Sequence, residues 1–192
     1  MNDKILKIET GGIQNDQHDT YFNHRYEPTD YENLDKLFDE LSLTQSDCFV
    51  DFGCGKGRLN FYVHHRFQCA SVGVELNETY YQIAEKNKKS YVGHAKERIQ
   101  FVNVPAQNYH FIGKENYLYF FHPFSVEIFG KVIQNIYDSL CEQPRTCYLI
   151  LYYPDSEYLY YIEQYTGLRL RKQIDVAGSE KDNRECFCIY EF

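Results

Sequence analysis

Apolar and polar positions along the chain alternate between two rhythms, one near 3.6 residues and one of short continuous apolar runs. Leu34, Leu37, Phe38 and Leu41 fall at helical spacing, with Thr29 or Asp30 placed to cap the helix they define. Apolar runs at residues 48–52, 70–76, 99–104, 117–122 and 146–153 read as buried strands. Between them the helical rhythm occupies residue 57 to near residue 66, residue 78 to near residue 89, and residue 125 to near residue 140. A short Tyr-rich helix follows Asp155, and two strand-like stretches, 168–176 and 186–192, close the chain with no long helix between them. Repeated strand–helix units require a mostly parallel sheet with helices on both faces, because right-handed crossovers lay each helix over the sheet. The final pair predicts an antiparallel C-terminal edge. The fold class is therefore α/β.

Composition narrows the setting. A chain of 192 residues with 43% hydrophobic content is the size of one domain and can bury a sizeable core. No stretch approaches the roughly 20 apolar residues that cross a bilayer, and Met1-Asn2-Asp3-Lys4 lacks the charged-then-apolar profile of a secretory signal, so a cytoplasmic protein is expected. Residues 1 to 24 are polar, carry Gly11-Gly12 and show no sustained periodicity, which predicts a flexible or conditionally ordered arm. The seven cysteines (Cys48, Cys54, Cys69, Cys141, Cys147, Cys186 and Cys188) lie mostly in apolar runs without metal-type pairing, so reduced thiols and no metal site are expected. Cys186 and Cys188 share a strand face but supply two ligands at most. The net charge of −8 argues against a broad nucleic-acid footprint and favours a small molecule or protein as partner. With 19 tyrosines and no tryptophan, the aromatic content reads mainly as packing on half-buried strands.

The chemistry concentrates in Asp51-Phe52-Gly53-Cys54-Gly55-Lys56-Gly57, directly after one strand and directly before a helix. Glycines there let the backbone turn sharply and admit a ligand against helix N-terminal amides. Glu75, near the end of the next strand, can accept both hydroxyl protons of a ribose. A dinucleotide oxidoreductase shares this logic, but its fingerprint is Gly-x-Gly-x-x-Gly, whereas these glycines stand at 53, 55 and 57. Asp51 would repel a pyrophosphate and attract the ammonium and sulfonium of a methyl donor.

On Val50-Asp51-Phe52-Gly53-Cys54-Gly55-Lys56-Gly57-Arg58, Gly73-Val74-Glu75-Leu76-Asn77 and Tyr119-Phe120-Phe121-His122-Pro123-Phe124-Ser125, the chain resembles the class I S-adenosylmethionine-dependent methyltransferases over roughly residues 25–192. It looks most like a bacterial subgroup of small methyltransferases in which Tyr26-Glu27-Pro28-Thr29 precedes the first core helix. The resemblance implies a Rossmann-like fold over 25–192 with the arm, 1–24, ahead of it. It implies that Asp51, Gly53 and Gly55 hold the methionine end of S-adenosylmethionine and that Glu75 holds the ribose, with Cys54 and Leu76 also among the cofactor-binding residues. The segment with Tyr21, Arg25, Tyr26 and Thr29 would fold over the cofactor, although a helix cap is an equal reading of Thr29. Where the family commonly has Gly-Asp-Ala for adenine, this chain has Asn103-Val104-Pro105-Ala106-Gln107-Asn108, leaving Ala106 and Gln107 or Asn108 as the adenine candidates.

His122, Pro123 and Phe124 follow a strand at the end where open α/β sheets place reacting groups, and the subgroup usually has asparagine at the histidine position. His122 reads equally as an acceptor-site residue or as a strand terminus that caps the next helix near Ser125. His64-His65 are adjacent on a helix, cannot face one ligand together, and read as surface or packing. The expected activity is methyl transfer to an acceptor, with nitrogen a candidate atom. The competing readings are a cofactor-binding module without catalysis and a nucleotide-binding oxidoreductase.

Overall fold

A computed structural model describes residues 1–12 and 27–192 of the chain. Its elements are helix α1 (Asp3–Leu6), α2 (Tyr31–Asp39), strand β1 (Cys48–Phe52), α3 (Arg58–Phe67), β2 (Ala70–Val74), α4 (Glu78–Ser90), β3 (Ile99–Val102), β4 (Tyr117–Phe120), α5 (Val126–Glu142), β5 (Tyr148–Tyr152), α6 (Ser156–Tyr165), β6 (Arg169–Asp175) and β7 (Cys186–Glu191). One seven-stranded sheet runs in the order β3-β2-β1-β4-β5-β7-β6. Strands β1 to β5 are parallel, and β7 lies antiparallel between β5 and β6. The Rossmann-like architecture and antiparallel edge expected from the pattern are thus present.

Burial on both faces explains why the inner strands read as continuous apolar runs rather than alternations. Successive residues of β1 serve opposite layers. Val50 and Phe52 pack with Phe129, Ile133 and Ile136 of α5, whereas Phe49 packs with Leu34, Leu37 and Phe38 of α2 and with Tyr62 of α3. The helical spacing of Leu34, Leu37 and Phe38 puts all three on the buried side of α2.

Two differences from the pattern stand out. The apolar runs 70–76, 99–104, 117–122 and 146–153 overshoot the hydrogen-bonded strands, which end at Val74, Val102, Phe120 and Tyr152. All four runs overshoot at the carboxyl end, where His122 and Tyr153 have left-handed φ of 41° and 50°, and the run 146–153 also begins ahead of β5. The second concerns residues 1–12 of the arm read as flexible or conditionally ordered, which pack against the core. Leu6 and Ile8 are buried against Phe61, Ala84, Tyr91, Ile99 and Phe101. The Asp3 carboxylate accepts from the Thr10 amide at 2.7 Å and from the Tyr31 hydroxyl at 2.6 Å. Two apolar side chains are too few to make a periodic signal, yet they suffice to seat a short segment once a carboxylate closes the turn behind them.

Candidate active site

The sheet order turns about β1, whose neighbours are β2 on one side and β4 on the other. In open α/β sheets the crevice at the carboxyl ends beside such a reversal holds the ligand. The loop leaving β1 and the turn leaving β4 meet there. Gly53 has φ +79°, and a Cβ on it would stand 2.4 Å from Pro123 Cβ, so only glycine lets the two loops touch. Gly57 caps α3 at φ +85°, where a Cβ would lie 2.6 Å from Phe101 Cζ. The Gly53 and Cys54 amides donate to the Val74 carbonyl at 2.9 and 3.2 Å and tie the glycine loop to the end of β2.

Two carboxyls flank this loop. Asp51, in β1, is 5% exposed, and among the described residues no basic side chain pairs with it. Burial, and then the neighbouring Glu75, push its carboxyl well above the ordinary range. Glu75 follows β2 and is also buried, which raises its carboxyl, but it accepts from the Asn77 amide at 2.7 Å and the Gly55 amide at 2.8 Å, which pull it back toward ionisation. Its two oxygens retain further acceptor capacity. The Asn103 side-chain amide donates to the Glu75 and Leu76 carbonyls at 2.9 and 3.0 Å, fixing that strand end. Beside it Leu76 is 48% exposed, an apolar surface open to a ligand face. Cys54 is buried, and burial followed by the two carboxyls holds its thiol well above its usual value.

The remaining expected residues are distributed around this centre. Ala106 is buried in the first turn after β3, while Gln107 is half-buried and its main-chain oxygen accepts from Asn135 at 2.8 Å. Thr29 is not the cap of α2; Asp30 occupies that position, and the Thr29 hydroxyl bonds the Tyr119 hydroxyl of β4 at 2.8 Å in the buried interior. Tyr21, Arg25 and Tyr26 lie outside the described residues. His122 is half-buried, with its ring edge-on to Tyr158 at 5.3 Å. Ser125, not His122, is the N-cap of α5, and its side chain makes no cap bond. Pro123 is half-buried against Gly53, and Phe124 is buried with its carbonyl accepting from the Tyr158 hydroxyl at 2.5 Å. His64, read as surface or packing, is fully buried with Nδ1 3.1 Å from the Tyr91 hydroxyl.

Three polar residues that shape the glycine loop were not singled out by sequence reasoning: Lys56, Arg58 and Asn87. Lys56 is 4% exposed and donates to the Gly11 and Gly12 carbonyls at 3.0 and 2.8 Å. Arg58 donates to Thr10 at 2.8 Å and to the Thr29 carbonyl at 3.3 Å, and its guanidinium lies over the Tyr31 ring. Asn87 is the available signal: a polar residue on the buried stripe of α4 formed with Tyr80 and Ala84. All seven cysteines are free thiols, and among the described residues no group of three or more His, Cys, Asp or Glu could hold a metal.

An open sheet of this order, with a glycine loop after β1 and an acid after β2, defines the class I methyltransferases, and solved members of that class share its fold. An RNA methyltransferase from Salinibacter ruber, solved with S-adenosyl-L-homocysteine, is 17% identical with a TM-score of 0.58, covering 86% of this chain and 92% of that one. A SAM-dependent methyltransferase from Thiobacillus denitrificans, also with S-adenosyl-L-homocysteine, is 14% identical with a TM-score of 0.58 over 92% of this chain and 93% of that one. Geranyl diphosphate C-methyltransferase from Streptomyces coelicolor is 13% identical with a TM-score of 0.56, covering 83% and 76%. No curated protein matches the sequence. The family described as histone methylation protein DOT1 matches residues 13–120, more than half of the chain, and the chain belongs to that methyltransferase family.

Proposed function

We propose that the chain transfers a methyl group from S-adenosylmethionine to an acceptor bound beside His122. The observation that carries this reading is Asp51, a buried carboxyl with no basic partner among the described residues, set in the glycine loop beside Glu75. Such a pair suits a cationic amino acid joined to one ribose and does not suit a pyrophosphate. When bound, the donor supplies an electrophilic methyl group. Asp51 with Gly53, Cys54 and Gly55 would hold its amino-acid end, Glu75 its ribose hydroxyls, and Leu76 with Ala106 and Gln107 its adenine. Thr29 and Tyr26 belong to the segment proposed to close over it. His122, Pro123 and Phe124 would orient the acceptor, since the contact of Pro123 with Gly53 joins the acceptor turn to the donor loop. Alignment and exclusion of water are the main requirements of an in-line displacement, and a base is needed only for an acceptor that arrives protonated.

The net charge of −8 favours a small molecule or a protein as acceptor over bare nucleic acid. No helix of the described residues is long and apolar enough to cross a membrane, in keeping with a cytoplasmic enzyme. Residues 25–192 form the methyltransferase domain in this reading. Titration calorimetry tests it: S-adenosylhomocysteine binds and NAD does not. Glu75→Ala removes two charge-assisted hydrogen bonds, each worth roughly 1.5–3 kcal/mol, and weakens binding at least about tenfold. Unchanged affinity in a folded Glu75→Ala chain removes the ribose assignment, and release of S-adenosylhomocysteine on incubation of the donor with small-molecule, protein and RNA fractions separates an enzyme from a silent binding module.

A further inference from the structure

The glycine loop carries a second set of contacts, to α4 and to residues 9–12. Asn87, on the buried face of α4, accepts the Glu9 amide through Oδ1 at 2.9 Å and donates through Nδ2 to the Glu9 carbonyl at 3.2 Å and the Lys56 carbonyl at 3.1 Å. One side chain therefore imitates a strand partner for Glu9 while holding the loop residue Lys56. Lys56 returns the connection, because its buried ammonium donates to the carbonyls of Gly11 and Gly12. Two residues on, Arg58 joins Thr10 to the Pro28 and Thr29 carbonyls and lies 3.7 Å from the Asp3 carboxylate. Residues 9–12 and 28–29 are thus both fastened to the loop that holds Gly53 and Gly55.

We infer that Asn87 and Lys56 are positioning residues for the donor, setting the glycine loop through its contacts with residues 9–12. The inference rests on the donor reading of that loop. A buried ammonium needs polar partners, and the Gly11 and Gly12 carbonyls supply two of them, so Lys56 couples the loop to residues 11 and 12. Conversely, Asn87 spans the loop and the terminal segment from α4, the helix that follows Glu75. The ribose carboxylate, the glycine loop and residues 9–12 form one hydrogen-bonded unit in which Glu75 also accepts the Gly55 amide. Losing Asn87 frees the Lys56 carbonyl and the Glu9 backbone together, and the Gly55 amide loses its fixed direction without any donor-contacting atom having changed.

The test compares Asn87→Ala and Lys56→Met with Asn116→Ala. Asn116 makes a comparable set of bonds, to Asp47 at 2.6 Å and to the Cys48 amide at 2.9 Å, at the amino end of β1, away from the loop. Calorimetry with S-adenosylhomocysteine, at a temperature where circular dichroism shows each chain folded, reads the effect. The expected result is an affinity loss of about tenfold or more in the first two variants and less than about twofold in Asn116→Ala. Amide hydrogen exchange without ligand gives an independent measure: both loop variants speed exchange across residues 53–57, and Asn116→Ala does not. Asn87→Ala and Lys56→Met chains that bind within about twofold of wild type, or an Asn116→Ala chain that loses as much as they do, overturn the inference. A wild-type chain that binds no S-adenosylhomocysteine overturns the donor reading itself, while exchange across 53–57 still decides whether Asn87 and Lys56 hold the loop.

Discussion

In the proposed site, the buried Asp51 carboxyl makes donor binding a proton-linked event. Asp51 has its proton held above the usual carboxylate range by burial and by Glu75. A cation placed beside it lowers that value again, so donor binding releases a proton where the pH lies between the lowered value of the bound form and the raised value of the free chain. Affinity for S-adenosylhomocysteine, whose amino group keeps its charge, therefore rises with pH across this range and levels off above it. Calorimetry in two buffers of different ionisation enthalpy detects the proton, and Asp51→Asn removes both the release and the pH slope. The sign for stability is opposite: a carboxyl raised in the folded state favours folding below its unfolded value and loses that contribution as pH rises through the folded one. His122 poses a different question at the same scale, since its left-handed backbone and contact with Tyr158 place it without assigning it a proton. An orienting role predicts that His122→Asn keeps turnover within about tenfold on an acceptor found by labelled-donor screening, with the pH profile unchanged. A loss on the order of a hundredfold together with the acidic limb would make it the base instead.

At the level of elements, the strands and helices were largely legible because parallel strands buried on both sides produce unbroken apolar runs, and β1 agrees with its pattern from Cys48 to Phe52. The overshoots have a shared cause. Hydropathy reports burial and apolar character, not hydrogen bonding, and Leu76, Phe121 and Tyr153 continue the apolar character past the ends of β2, β4 and β5. The glycine turn was legible for a different reason, as its backbone admits few residues. Gly57→Ala combines a left-handed φ, costing roughly 1–2 kcal/mol, with an overlap on Phe101 that adds roughly 1–3 kcal/mol. Thermal unfolding should show this loss, whereas Gly167→Ala, with nothing within 4 Å of the added carbon, should stay within about 0.5 kcal/mol of wild type.

For the whole molecule, the alternation of strands and helices specified a parallel sheet and an antiparallel edge, but not that β7 inserts between β5 and β6. Nor could it show that β1 is the turning point, since strand order depends on which crossovers reverse. The docking of residues 1–12 was illegible because its partners are remote: Glu9 meets Asn87 across 78 residues, and Asp3 meets Tyr31 across 28. That remoteness has a consequence for a chain made from its N-terminus at roughly 5–20 residues per second. Glu9 is made ahead of Asn87, so the part of the loop's fastening that runs through Asn87 forms only once α4 has been made. That contact therefore closes behind the Asp51-to-Gly57 segment, not with it.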